Sequence, residues 1–197
     1  MGGQFFYLTH PQVRMDPAVP VPDWGLSDTG LARARLAAEA PLFANLRRIC
    51  SSAERKALET AGAIAGTRNL LVSILPRTHE NDRSATGFLP PDEFESVANE
   101  FFARPHTSIR GWERAIDAQA RIVSEAAPLL ETARGGDVLM VGHGGVGTLL
   151  LCHLAGLEIS RAHDQPAGGG NLFAYNPASQ EVTFRWTPIE ALGTRQA

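Results

Sequence analysis

The chain has 197 residues, 44% of them hydrophobic, enough to bury roughly 70% of the surface that the unfolded chain exposes. Its net charge of −3 offers no basic face for nucleic acid or an anionic membrane, and no apolar run reaches the roughly 18 residues of a membrane span. Cys50 and Cys152 lie far apart in apolar surroundings, which excludes a disulfide framework and suits a reducing, cytoplasmic setting.

In chain order, residues 4–9 read as a first strand. Residues 11–25 carry Pro11, Pro17, Pro20 and Pro22; proline lacks the backbone donor and fixes φ, so this is a long loop. Ser27 and Asp28 start a helix that runs from Thr29 to about Ala40. Residues 45–50 form a short strand. Ser51 or Ser52 caps a second helix, with Glu54 in its first turn, that extends to about Ala65. Leu70 to Leu75 is a third strand. Residues 76–92 form a second long loop around the polar run Thr78-His79-Glu80-Asn81-Asp82-Arg83-Ser84. Helical periodicity returns over 92–103 and again over about 109–133, ended by Gly135-Gly136. Val138 to Val141 fits a central parallel strand. Leu149 to Leu157 is helix, and residues 171–175 and 181–186 form a closing hairpin. No repeat, low-complexity tract or linker interrupts the pattern, so a single domain over 1–197 is expected.

Two histidines stand just after apolar strands: His10 after the first, His143 after Asp137-Val138-Leu139-Met140-Val141-Gly142. In open α/β sheets, ligands bind outside the carboxyl ends of strands, so both imidazoles are candidates for one pocket. Gly142-His143-Gly144-Gly145-Val146-Gly147 matches the dinucleotide fingerprint in form, but no strand with a closing acidic residue comes after it, which argues against a dinucleotide. A helix start at this point still favours an anion.

The polar residues at post-strand positions are His10, Lys56, Glu80, Arg83 and His143. Imidazoles, cations and a carboxylate suit phosphoryl transfer: a phosphoryl group spreads negative charge over three oxygens, an imidazole can attack phosphorus, and a carboxyl can protonate the leaving oxygen. Each residue also has a plain structural reading, as a packed histidine, a solvated helix lysine or a loop ion pair, and His79, His106, His153 and His163 are left to it. No HxH, HExxH or CxxC spacing points to a metal, and no G-x-S-x-G elbow supplies a serine nucleophile.

Four segments together resemble the histidine phosphatase superfamily, also called phosphoglycerate mutase-like. They are Leu8-Thr9-His10-Pro11, Leu26-Ser27-Asp28-Thr29-Gly30, Ser51-Ser52-Ala53-Glu54-Arg55-Lys56-Ala57-Leu58-Glu59-Thr60-Ala61 and Val141-Gly142-His143-Gly144-Gly145-Val146. The resemblance implies a three-layer α/β/α sandwich with a mostly parallel sheet. It implies His10 as the residue that becomes phosphorylated, His143 as its phosphate-binding partner, and Glu80 as the proton donor with Asp82 as an alternative. Thr9, Lys56, Arg83, Gly144 and Arg14 are the implied phosphate contacts. The implied ligand is a small phosphorylated molecule or inorganic phosphate, with no cofactor; the oligomeric state stays open, a homodimer included. The stretch from Asp82 to Pro90, with Gly111-Trp112-Glu113-Arg114, looks like a distinct bacterial subgroup. Several positions depart from the family pattern. Thr9 and Lys56 stand where the family has arginines, Pro11 where it has glycine, and Asp16 where it often has asparagine. Lysine is a point donor, whereas arginine grips phosphate with two parallel bonds. The expected function is a phosphomonoester hydrolase, less a mutase. The alternative is a family member that binds a phosphorylated molecule or other anion without turnover.

Overall fold

Alternation along two strands explains the layering. In β1 (Phe5–Thr9), Phe5 and Tyr7 point to one face of a sheet, Phe6 and Leu8 to the other, and all four are fully buried. β4 (Asp137–Gly142) repeats this with Val138 and Met140 against Leu139 and Val141. A strand apolar on both faces must be covered on both. The computed structural model describes residues 2–194; Met1 and residues 195–197, which the expected 1–197 domain includes, lie outside the described residues.

The remaining strands are β2 (Leu46–Ser51), β3 (Val72–Ile74), β5 (Asn171–Asn176) and β6 (Glu181–Pro188). The sheet order is β3-β2-β4-β1-β5-β6. β3, β2, β4 and β1 run parallel; β5 and β6 are antiparallel, forming the closing hairpin. Helices α1 (Asp28–Ala38) and α2 (Arg55–Gly66) cover the Phe6/Leu8 face. Helices α3 (Pro91–Ala103), α4 (Ala115–Ala133) and α5 (Gly144–Leu154) cover the Phe5/Tyr7 face. The result is the α/β/α sandwich with a mostly parallel sheet. No helix among the described residues is long and apolar enough to cross a membrane.

Several boundaries differ from the sequence reading. The helix expected from residue 109 begins at Ala115, because Arg110 (φ 50°) and Gly111 (φ 81°) adopt left-handed backbone that a helix cannot carry. The last helix begins at Gly144, five residues earlier than expected, so the glycine run is its first turn. α2 begins at Arg55 with Glu54 as its N-cap residue; Ser51 ends β2 instead of capping the helix. β3 is shorter than its apolar run, since it pairs only with β2 at the sheet edge and Leu71 is exposed.

The parallel register aligns the strand ends. Thr9 lies opposite Gly142, and Ser51 opposite Val141. The next residues continue the ladder, with the His10 amide donating to the Gly142 carbonyl (3.0 Å) and the Ser52 amide to the Val141 carbonyl (3.2 Å). Three strand ends thus deliver His10, His143 and Ser52 to one edge.

Gly147 lets α5 approach β1 closely: a Cβ there would meet Tyr7 Cε1 at 2.4 Å and Trp186 Cη2 at 3.1 Å. Gly147→Ala should therefore destabilise by about 1–3 kcal/mol through overpacking. Gly62→Ala on α2, where a Cβ meets nothing within 4 Å, should stabilise by roughly 0.5–1 kcal/mol from helix propensity. Urea denaturation of both variants checks the pair.

Candidate active site

His10 leaves β1 half-buried. Its Nδ1 lies 2.8 Å from the Pro11 carbonyl oxygen, an acceptor only, so Nδ1 carries the proton and donates, and Nε2 keeps its lone pair. Burial, then the neighbouring His143, lowers the His10 pKa to about 3, so the ring is neutral at physiological pH. Its carbonyl accepts from the Gly170 amide at 3.0 Å, and a Cβ on Gly169 (φ 63°) would meet that same oxygen at 2.3 Å. The glycines of residues 168–170 let a second loop close against the nucleophile candidate.

The His143 ring packs edge-on to His10, with centroids 5.3 Å apart. It is fully buried and its pKa is lowered, chiefly by burial. The Tyr7 hydroxyl fixes its backbone from both sides, donating to the His143 carbonyl and accepting from its amide, each at 3.0 Å. Burial raises the Tyr7 phenol, which stays protonated for this double role. Nε2 of His143 lies 2.7 Å from Ser52 Oγ and 3.3 Å from Glu54 Oε1. An ionised carboxylate only accepts, which favours the proton on Nε2. The other nitrogen, Nδ1, is buried and has no partner among the described residues; the same is true of Asn81 Nδ2.

Glu54 is a hub. One carboxylate oxygen accepts from the Glu80 amide at 2.9 Å, and the other pairs with the buried Lys56 ammonium. Burial would raise its carboxyl, but His143 and Lys56 bring it down to about 2. Lys56 also donates to the Val21 carbonyl at 2.8 Å, which anchors the 11–25 loop. Glu80 reaches the start of α5, where its carboxylate accepts from the Gly145 amide (3.1 Å) and the Val146 amide (2.9 Å). Those bonds, His143 and Arg83 together outweigh burial and hold the Glu80 pKa below its ordinary value. A carboxylate at a helix N-terminus meets both free amides and the positive end of the dipole. Arg121, paired with Glu113, donates to the carbonyls of Arg77, His79 and Glu80 and fixes that loop.

The other residues singled out from the sequence are placed less centrally. The Arg83 guanidinium lies over the rings of Phe94 (4.9 Å) and Trp112 (5.6 Å). The Thr9 hydroxyl is buried and turned to Gln165 Oε1 and the Asn171 backbone, not to an open site. Arg14 is exposed, facing Asp28 at 3.9 Å, and no described contact joins it to the histidines. Asp16 and Asp82 are exposed; each caps its own loop, accepting from the Ala18 and Ser84 amides. Gly144 lies against the end of Gln165, whose Nε2 a Cβ would meet at 2.3 Å. Among the described residues, no group of three or more His, Cys, Asp or Glu is arranged for a metal ion. Sequence reasoning missed Glu54 and Ser52 as neighbours of His143, and Gln165 altogether. The strand-end logic that found His10 applies equally to Ser52; nothing local marks Gln165, whose contact with Thr9 spans 156 positions.

The family model of the histidine phosphatase superfamily (branch 1) matches residues 12–184. The chain belongs to that superfamily. No curated protein matches it. Among solved structures, a mycobacterial glucosyl-3-phosphoglycerate phosphatase in complex with inorganic phosphate aligns at TM-score 0.75 and 21% identity, covering 96% of this chain and 99% of that one. A phosphoserine phosphatase from Entamoeba histolytica, in complex with 3-phosphoglyceric acid, aligns at TM-score 0.72 and 16% identity, covering 93% and 96%. Bacillus stearothermophilus YhfR aligns at 0.72 and 21%, covering 87% and 89%. At these identities the likeness to the solved structures is one of fold.

The buried Glu54–Lys56 pair generates a pH-dependent prediction. A depressed carboxyl contributes stability that is fully present above its ordinary value of 4.5 and is lost as pH falls toward 2. Lys56→Ala strands the carboxylate, and should cost about 3–5 kcal/mol near pH 7. The cost should shrink at about pH 3, where the stranded carboxyl takes up a proton. Urea denaturation at the two pH values measures the difference.

Proposed function

We propose that this histidine phosphatase superfamily member is a phosphomonoester hydrolase acting through a phosphohistidine on His10. One observation carries the reading: a neutral His10, its Nδ1 hydrogen held by the Pro11 carbonyl and its Nε2 lone pair in no hydrogen bond among the described residues, packs against a buried His143 whose Nδ1 has no partner among them. Membership of the superfamily, and the phosphatases among its fold relatives, support it. Inorganic phosphate or a small phosphorylated molecule is the ligand class.

In the first step, His10 Nε2 attacks phosphorus and the ester P–O bond breaks. The leaving oxygen takes a proton from the Glu80 carboxyl. In the second step, Glu80 carboxylate takes a proton from water, whose oxygen attacks the phosphohistidine. The P–N bond breaks, and inorganic phosphate leaves with His10 restored. His143 contributes through Nδ1. A phosphoryl oxyanion beside that nitrogen favours the doubly protonated ring, which then donates from Nδ1 to the anion while Nε2 stays with Ser52 and Glu54. The Gly144 amide, at the first turn of α5, is a further donor.

A second reading has its own observation. The Lys56 ammonium is already matched by Glu54 and the Val21 carbonyl, so the pocket has little uncompensated positive charge for a dianion. On that reading the site binds an anion without turning it over.

An aryl phosphate assay separates the two. Wild type should release phosphate and His10→Ala should not, with acid-quenched wild type retaining phosphate on histidine; equal rates in both proteins would eliminate the hydrolase. Because Glu80 must be protonated and its pKa is lowered in the resting site, log kcat/KM should fall as pH rises from about 5 toward 8. Glu80→Gln should lower the rate by roughly 10²–10⁴-fold and remove the enzyme's share of that slope, leaving only the substrate's own titration.

A further inference from the structure

The amide of Gln165 has an orientation that its neighbours dictate. Asn171 Nδ2 lies 3.0 Å from the Pro166 carbonyl and 3.1 Å from the Gly169 carbonyl. Two carbonyls accept only, so the Asn171 atom facing them is the NH2 group. That same NH2 lies 3.0 Å from one terminal atom of Gln165, which must therefore be the oxygen. Thr9 agrees: its hydroxyl accepts from the Asn171 amide at 2.9 Å and donates to the same Gln165 oxygen at 2.6 Å. With Oε1 held by two donors, the NH2 end of Gln165 is turned the other way. It lies against Gly144, where a Cβ would meet Nε2 at 2.3 Å and push the amide aside. Among the described residues nothing accepts from Nε2.

The position has a second, independent mark of a ligand. Gly144 adjoins His143, and His143 Nδ1 is fully buried without a partner among the described residues. Thr9, which aims Gln165, precedes His10. An aimed but unmatched double donor and an unmatched buried ring nitrogen therefore flank the same first turn of α5.

We propose that Gln165 binds the substrate, donating from Nε2 to phosphoryl oxygens above the N-terminus of α5, and that Thr9 and Asn171 are positioning residues that set its amide. This rests on the phosphohistidine reading of the site. It assigns the site a neutral donor where a second cation would otherwise be needed, and gives the threonine before His10 a role it does not exercise by direct contact.

The test uses inorganic phosphate as the probe, with binding followed by calorimetry and aryl phosphate turnover measured alongside. Gln165→Glu keeps the shape and the oxygen that Thr9 and Asn171 hold, but replaces the donor with an acceptor. It should weaken phosphate binding and kcat/KM by at least about 10-fold and up to about 150-fold, the range for losing a hydrogen bond to a charged group. Gln165→Ala should give a loss in the same direction and covers the case in which the glutamate variant does not fold. Thr9→Val, which leaves the donor but frees its aim, should raise KM more than it lowers kcat, and Thr9→Ser should restore the wild-type KM. Wild-type binding and turnover in both Gln165 variants would overturn the assignment, as would a fall in thermal midpoint with KM and phosphate affinity unchanged. His10→Ala separates this from the parent reading. If it turns over like wild type while Gln165→Glu loses phosphate, the phosphohistidine reading fails and the Gln165 assignment stands. If wild type neither binds millimolar phosphate nor releases it, both fall.

Discussion

The parallel pairing of β1 with β4 is the constraint on which the site depends. A register that sets Thr9 opposite Gly142 brings the next residue of each strand, His10 and His143, to ring contact. A slip of one residue would turn every side chain of β1 to the opposite face. It would move Phe5 and Tyr7 out of one core, Phe6 and Leu8 out of the other, and separate the imidazoles. The cores therefore enforce the site geometry: the energy that holds the register comes from four buried side chains of β1 packed on both faces, not from the polar groups at the strand end. Tyr7 links the two levels. Its ring stacks on Phe173 in the core, and its hydroxyl clamps the His143 backbone.

The electrostatics at that edge are close to balanced. Two neutral imidazoles sit among two carboxylates, Glu54 and Glu80, and two cationic side chains, Lys56 and Arg83. Each carboxylate has its own fixed donors: Glu54 the Lys56 ammonium and the Glu80 amide, Glu80 the first turn of α5. Buried charges are tolerated only with such partners. The same bonds also tie the cluster together, since Glu54 contacts both the Glu80 amide and the His143 ring, and Glu80 holds the first turn of the helix that follows His143. Among the described residues, a ligand that adds negative charge must then be met by Arg83, the one of these two cations with no carboxylate partner, and by His143 Nδ1, the Gly144 amide and the Gln165 NH2. On the proposed reaction the Gly144 amide and the Gln165 NH2 are neutral donors at rest, whereas His143 Nδ1 holds a lone pair and becomes a donor, with the positive charge, only when the ring takes up a proton in the presence of the anion.

Much of this is legible in the sequence, for definable reasons. β1 and β4 are readable because a strand buried on both faces is a short continuous apolar run, and the closing hairpin because its two strands flank a turn. His10 and His143 are readable as neighbours because a parallel sheet brings successive strand ends to one edge. The three-layer arrangement is implied by the resemblance of the four motif segments. The start of α4 is hidden because Trp112 continues the apolar spacing of a helix while packing from a turn, where Arg110 and Gly111 take left-handed backbone. The motif marks a helix start at the glycine run, but helical pattern begins only at Leu149 because glycine is a poor helix former in isolation; at 147 a Cβ would meet the Tyr7 ring, and at 144 and 145 the ends of Gln165 and Glu80. Thr9 and Lys56, taken one position at a time, are weakened versions of arginine. Their actual partners, Gln165 and Glu54, cannot be inferred from those positions alone.

Those partners change what the departures mean. Replacing an arginine by threonine or lysine removes bidentate grip, and in an otherwise unaltered pocket that is a simple loss. Here each replacement is embedded in new bonds. Lys56 is buried against Glu54, which in turn touches His143 and the Glu80 amide; Thr9 holds an amide whose donor end faces Gly144. An arginine at position 9 would have to displace Gln165 from the space its oxygen occupies, and one at 56 would have to fit a pocket already filled by a two-residue ion pair and the Val21 carbonyl. Thr9 and Lys56 are therefore fitted to their partners, and an arginine placed at either position alone adds a cation while breaking the network that holds Gln165 and Glu54. On the proposed reading, this sheet edge meets phosphate mainly through neutral donors, a packing that arginines at 9 and 56 would not fit without rebuilding it.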